Sequence, residues 1–264
     1  MSSATPAKAP PAPAVHYGDH PNQVANLHLP GGRGQGPFPV VVLLHGGFWG
    51  AGWDRTLMTP LARDLVDRGI AAWNVEYRRV GEEGGGWPGT IQDVAAAVDH
   101  LDVIEEADSG RVVTCGHSAG GQLALWVAGR HKLRPGLPGA EPKTQACGAV
   151  ALAPVADFAA AWESGFAREQ LIGLLGGGPD DVPDRYRCTD PARLTPLGVP
   201  SVLVHGGADQ VVPVAQSRAF ARAAAGQAKL LDFPDADHFD VIEPQHAAWH
   251  AVTESLPRLF KRSF

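Results

Sequence analysis

Arg111-Val112-Val113-Thr114-Cys115 runs directly into Gly116-His117-Ser118-Ala119-Gly120-Gly121, and Leu123, Ala124, Val127 and Ala128 follow at helical spacing. The first segment reads as a strand by its apolar, β-branched content, and the last as a buried helix. The glycine-rich hexapeptide between them must therefore turn the chain from strand to helix within a few residues. A serine at the apex of so sharp a turn has its hydroxyl pushed out of the backbone. Gly116 and Gly120 answer a steric need, because a side chain at either would crowd the neighbouring strand or helix. As letters G-x-S-x-G is a weak signal; between one strand and one helix it is a strong one.

Outward from this turn, apolar runs of strand length alternate with helical periodicity. Val40 to Leu44 has no polar alternation, as expected of a strand covered by helices on both faces. Thr59-Pro60 reads as an N-cap and first helical position, with Leu61, Leu65 and Val66 as the apolar face and Gly69 as the stop. A strand follows over Ile70 to Val75, and Ile91, Val94, Ala95, Val98 and Leu101 recur at helical spacing. Further strands are expected at Ala149–Leu152, Val199–Val204 and Lys229–Phe233, with helices over Val214–Ala225 and from His246 to Leu256, just before Pro257. This pattern predicts an α/β protein with a mostly parallel sheet and helices on both faces. Residues 1–14, rich in Pro and Ala, read as a flexible tail, and 15–264 as one domain. Within it, 157–191 lacks sheet character and is expected to form a small partial cap. Glycine clusters at 31–36, 84–86 and 176–178 lack the strand-turn-helix context of a phosphate loop and read as loops.

A neutral serine is a poor nucleophile and needs a histidine, itself oriented by a carboxylate. Downstream, Val202-Leu203-Val204-His205-Gly206-Gly207-Ala208-Asp209 is a buried strand ending in a glycine turn that carries an aspartate. Asp235-Ala236-Asp237-His238-Phe239 then places a histidine in the next strand-end loop, the region where such sheets gather their sites. The order is Ser118, Asp209, His238. Asp235 and Asp237 compete with Asp209 as the orienting acid, but lie too close to His238 in sequence. Among the 11 histidines, His117 lies in the turn and is expected to point away, and His205 is expected to be a packed turn residue. His246 and His250, spaced i, i+4, could share a helix face as metal ligands, but no third ligand is evident. No metal or cofactor is expected.

His45-Gly46-Gly47-Phe48-Trp49 follows the first strong strand, and its glycines leave backbone N–H groups free to meet a ligand closely, as an oxyanion requires. Together with Glu76-Tyr77-Arg78, Gly116 to Gly121, His205 to Pro213 and Asp237 to Glu243, this segment resembles the hormone-sensitive-lipase-like esterases and the arylformamidases (kynurenine formamidases) of the α/β-hydrolase superfamily. The resemblance covers most of the chain after the tail. It implies an α/β-hydrolase fold, oxyanion donors at the backbone amides of Gly47, Phe48 and Ala119, and a supporting role for His45 and Gly46, with His45 fixing the loop through side-chain hydrogen bonds. Many lipase-like relatives have a third glycine where this chain has Phe48. Trp49, Trp87, Trp162 and Phe166 are expected around a substrate pocket, with Trp53 nearby.

Composition bounds the partners. The chain has 264 residues, 44% hydrophobic and 19% charged, with a formal charge of −6. No basic face for polyanions is evident, so nucleic acid is not an expected partner. The tail lacks the apolar segment of a signal peptide, and no run approaches a membrane span. The three cysteines do not resemble a disulfide framework and point to a reducing, cytoplasmic setting, with Cys115 and Cys147 buried and Cys188 nearer the surface. A small-molecule substrate is expected, and the oligomeric state is left open, a homodimer included. The activity expected is hydrolysis of small carboxylic esters through an acyl-enzyme, with aryl formamide hydrolysis as the alternative. A catalytically silent ligand-binding fold and an acyltransferase using the same triad are the rivals.

Overall fold

The computed structural model describes residues 12–31 and 36–262. Among the described residues there are eight strands: β1 (Ala14–His16), β2 (Val24–His28), β3 (Phe38–Leu44), β4 (Ala71–Val75), β5 (Ala107–His117), β6 (Gly148–Leu152), β7 (Ser201–Gly206) and β8 (Ala228–Phe233). They form one sheet in the order β1-β2-β4-β3-β5-β6-β7-β8. From β4 to β8 every neighbour is parallel, while β1 and β2 pair antiparallel at one edge.

β3 shows why its sequence has no alternation. Val40, Val42 and Leu44 face one buried cluster, with Ile91, Val94 and Val98 of helix α2 (Gly89–Asp99) and Leu123 and Val127 of α3 (Ala119–Gly129). Val41 and Leu43 face the other, with Leu61 and Leu65 of α1 (Thr59–Asp67) and Trp249, Val252 and Leu256 of α8 (Ala247–Leu259). Burial of each such side chain contributes about 1.5–3 kcal/mol, so a charged residue at Val41 or Val42 would unseat a helix layer. Helix α7 (Ala215–Ala223) closes the layer through Phe220.

Several boundaries differ from the sequence reading. β1 and β2 were not foreseen, being short and polar in places, and Ala14, expected at the end of the tail, already pairs with Asn26. Residues 1–11 of that tail, and 32–35 of the first glycine cluster, lie outside the described residues. The N-cap before α1 is not Thr59: Asp54 caps a 3-10 turn over Arg55–Met58 by accepting the N–H of Thr56, and α1 continues from it. α8 does not stop before Pro257 but carries it inside, because Leu256 and Leu259 on either side remain buried in the core. Cys188, expected nearer the surface, is buried like Cys115 and Cys147, and all three are free thiols.

Residues 157–191 form three short helices, α4 (Phe158–Glu163), α5 (Arg168–Leu175) and α6 (Pro183–Thr189). Phe158, Leu171, Leu174 and Tyr186 belong to the same buried cluster as α2 and α3, so this insert shares the main core. Cys188 and Thr189 accept hydrogen bonds from Trp126 and Gln122 of α3, which ties the insert to the helix behind the serine. No described helix is long and apolar enough to cross a membrane.

Candidate active site

Ser118 stands between β5 and α3 at φ 56°, ψ −118°, and is 2% exposed. A non-glycine residue there costs about 1–3 kcal/mol of backbone strain. Packing enforces it: a Cβ on Gly116 would sit 1.9 Å from the carbonyl oxygen of Gly120, and one on Gly120 would sit 2.1 Å from that of Leu44. Only two glycines let strand, helix and β3 close on one another here.

Asp209 and His238, on the loops after β7 and β8, meet with Nδ1 2.7 Å from Oδ2. The other carboxylate oxygen accepts the N–H groups of Val211 and Val212 at 2.7 and 2.8 Å. Burial pushes the Asp209 carboxyl up, but the hydrogen bonds from His205 and His238 and the N–H of Val212 outweigh it and hold it well below the usual range. Asp209 is thus a fixed anion beside one face of His238. Asp237 is engaged elsewhere, accepting the N–H groups of Phe239 and Asp240, and Asp235 is exposed. His246 caps α8 through the N–H of Ala248.

Two histidines are placed differently from the sequence reading. His205 is a buried member of β7 whose Nε2 lies 2.9 Å from the carbonyl of Val212 and 3.3 Å from Asp209 Oδ2. Both are acceptors, so Nε2 carries the hydrogen and Nδ1 accepts from the Ser217 hydroxyl at 2.7 Å. It is a second imidazole on the orienting acid. His117 does not turn away from the site: its ring lies 4.5 Å from that of His238, and its Nε2 donates to the His238 carbonyl at 2.9 Å. Its Nδ1 is buried without a partner. Burial, helped by the nearby His238, pushes the His117 imidazole down to about 3, so it remains neutral. The residue next to the serine thus braces the backbone of His238.

The loop after β3 runs over this turn. A Cβ on Gly46 would lie 3.0 Å from that of Ser118. Gly47, Phe48 and Trp49 follow one another at φ 108°, 51° and 59°, an unusual left-handed run for two bulky residues. Its anchors are the N–H of Gly50 on the Gly47 carbonyl, the N–H of Val80 on the Trp49 carbonyl, and the Trp49 indole N–H on Gln122 of α3. Among the described hydrogen bonds, none is donated by the N–H of Gly47 or Phe48.

The aromatic residues divide. Trp49 is fully buried beneath the loop against Phe158. Trp162 packs within the insert, on Tyr186 and under the Arg168 guanidinium, and Trp87 is tied to α5 through the carbonyl of Leu174. Phe166 reaches the loop, 6.1 Å from Phe48. Trp53, 46% exposed, stacks at 5.7 Å on Phe239, 40% exposed. Gly47 abuts Trp53, and Phe239 follows His238, so this exposed pair touches both halves of the site. A cleft of about 230 Å³ opens beside Trp53, lined by Gly52, Asp54, Thr56 and Leu57. A larger one, about 460 Å³, lies between α8 and the amino ends of β7 and β8, away from these residues.

A serine on a strand-to-helix elbow, with an aspartate and a histidine paired on successive strand-end loops of a mostly parallel sheet, is the arrangement of an α/β hydrolase of the esterase kind. Residues 26–223 match the BD-FAE family model, and the chain belongs to that family. It is similar to Esterase LipC of Mycobacterium tuberculosis, 26% identical over 248 residues, 87% of this chain and 60% of that protein. The fold superposes on Esterase B from Lactobacillus rhamnosis in a C4-C4 SN3 tributyrin phosphonate-inhibited form, with a TM-score of 0.77 and 25% identity, covering 94% of this chain and 85% of the other. It also matches a bifunctional GH43-CE protein of Bacteroides eggerthii, with a TM-score of 0.77, 23% identity and 93% of this chain covered, but spans only 34% of that longer chain.

Proposed function

We propose that the protein cleaves small carboxylic esters through an acyl-enzyme. The observation that carries this reading is the buried Asp209–His238 pair, whose imidazole packs against His117, the residue before the strained Ser118. In this reading Ser118 Oγ attacks the ester carbon while His238 Nε2 takes its proton, and the N–H groups of Gly47, Phe48 and Ala119 receive the developing oxyanion. His238 then returns the proton to the departing alcohol, and water repeats the sequence on the acyl-serine to release the acid. Because His238 protonates the leaving group, the alcohol lies beside it, on the exposed Trp53–Phe239 pair. The acyl group points towards Phe48 and Phe166, whose ring centroids lie 6.1 Å apart and whose bulk favours a small acyl chain. Short acyl groups on flat, apolar alcohols are therefore the preferred class. That Esterase B is inhibited by a tributyrin phosphonate supports the short acyl group.

Aryl formamide cleavage is the second reading, favoured by the same aromatic pair and by formyl being the smallest acyl group. A cytoplasmic setting belongs to the proposal, in keeping with three free thiols. The test is kcat/KM for p-nitrophenyl acetate, p-nitrophenyl octanoate and N-formylkynurenine. Acetate is expected to lead; a preference for octanoate would remove the shallow acyl site, and absence of formamide turnover would remove the second reading. Labelling of Ser118 by a fluorophosphonate, absent in Ser118→Ala, tests the nucleophile.

A further inference from the structure

Behind the oxyanion loop lies a buried polar cluster with no step in that sequence. The His45 ring is stacked on Tyr77, with centroids 4.3 Å apart and planes 3° from parallel, and neither ring is exposed. Its Nδ1 lies 2.8 Å from the carbonyl oxygen of Gly46 and its Nε2 lies 3.0 Å from Glu76 Oε1. A carbonyl and an ionised carboxylate are both acceptors.

Glu76 is ionised here by its surroundings. Its Oε2 accepts the N–H of Arg55 at 3.0 Å and its Oε1 accepts that of Tyr77 at 3.3 Å. The guanidinium groups of Arg55 and Arg79 stand 3.5 and 3.6 Å away. Burial alone pushes the Glu76 carboxyl up, and the bond and charge of His45, the Arg55 N–H and the charge of Arg79 together bring it below the ordinary value. The two backbone N–H groups and the two guanidinium groups favour the anion whatever the state of His45. A neutral His45 ring has one N–H and would aim a lone pair at one of its two oxygens, a repulsion in a site with no water to relieve it. We infer that His45 carries hydrogen on both ring nitrogens, as an imidazolium held between Glu76 and the Gly46 carbonyl, and that it polarises the Gly46–Gly47 peptide.

The consequence is electrostatic. That peptide's N–H belongs to Gly47, one of the proposed oxyanion donors. Pulling electron density towards the Gly46 oxygen makes the Gly47 N–H a stronger donor before any substrate arrives, because hydrogen bonds in series reinforce one another. His45 and Glu76 are thus positioning residues that tune the oxyanion site without touching substrate. This effect on turnover rests on the esterase reading; the protonation state of His45 does not.

The first test uses wild-type protein labelled with ¹⁵N-histidine at neutral pH, with His45→Asn serving only to assign the signal. Both His45 nitrogens are expected to read as protonated; one unprotonated nitrogen would overturn the inference. The second uses Glu76→Gln, which removes the counter-charge. One His45 hydrogen should be lost, kcat should fall roughly two- to tenfold, and KM should change little. Affinity for phenylboronic acid, which forms a tetrahedral adduct with the serine, should fall by the same factor. A Glu76→Gln protein with wild-type melting temperature and unchanged kcat and boronate affinity would overturn the polarising role. Failure of wild-type Ser118 to react with fluorophosphonate would sink the esterase reading instead, leaving the ¹⁵N result standing.

Discussion

The two sides of the candidate site are built from the same pair of groups and, in the proposed reading, put them to opposite uses. On one side Asp209 holds His238, and on the other Glu76 holds His45. Both carboxylates are buried, both accept backbone N–H groups, and both are held ionised by their hydrogen bonds. The difference lies at the far nitrogen of each ring. His45 spends its second nitrogen on a backbone carbonyl, whereas His238, among the described hydrogen bonds, engages only Nδ1. A carboxylate–imidazole pair becomes a base when one nitrogen is left for substrate, and a fixed source of field when none is.

The strongest way to break this comparison is on the reactive side. Ser118→Ala and Asp209→Asn should each lower kcat by ~10⁴. Ser118→Ala should leave the melting temperature near wild type, whereas Asp209→Asn should lower it, because the buried carboxylate's bonds from His205 and His238 lose their charge. A Ser118→Ala protein keeping more than about a hundredth of wild-type turnover would exclude Ser118 as nucleophile.

His205→Asn sharpens it, by removing one of the two imidazoles on Asp209. A charge-assisted hydrogen bond is worth about 1.5 kcal/mol or more, so kcat/KM should fall roughly tenfold. Unchanged kcat/KM would leave His205 as a packing residue only.

Trp53→Ala tests the aromatic pair that joins the two sides. Loss of one stacking partner should weaken use of aryl esters by roughly three- to tenfold, chiefly through KM, with aliphatic acetates affected less. Equal losses on both would assign Trp53 to loop support.

A separate effect, on stability and not on turnover, runs through His117. Its folded value of about 3 lies below the ordinary 6.5, so between these limits the unfolded chain binds the extra proton. Stability from this group is complete above about 6.5 and is lost as pH falls towards 3. His117→Gln keeps a donor for the His238 carbonyl and cannot titrate, so its melting temperature should decline less steeply than wild type between pH 6.5 and 4. Parallel declines would mean that His117 is charged in the fold.

What the sequence disclosed and what it hid divide along physical lines. The central strands were legible because the middles of β3, β5, β6 and β7 are buried on both faces and are mainly apolar there. The elbow was legible because its steric problem has few solutions. β1 and β2 were not, since short edge strands such as Ala14–His16 carry no such demand. Nor were the roles of His205, His117 and Phe239, because what each side chain meets depends on how separate loops are set against one another. His205 and Asp209 are four residues apart in one motif, yet nothing in that spacing tells which acceptor the imidazole finds. Likewise Glu76 was quoted as part of a motif, but its partner lies 31 residues away.

The left-handed run at Phe48 and Trp49 carries a lesson for redesign. Enlarging a binding site by cutting back a side chain usually weakens a protein, because the contacts removed were favourable ones. Phe48 is an exception, since it is half-buried and sits at φ 51°, where an L-residue is strained and glycine is not. Phe48→Gly would open space beside the proposed acyl site and relieve backbone strain in the same step, offsetting part of the lost ring contacts and the gain in chain freedom. Breadth of substrate and thermal endurance, normally traded against each other, are partly uncoupled at this residue, so it is the place from which a wider-specificity descendant could start.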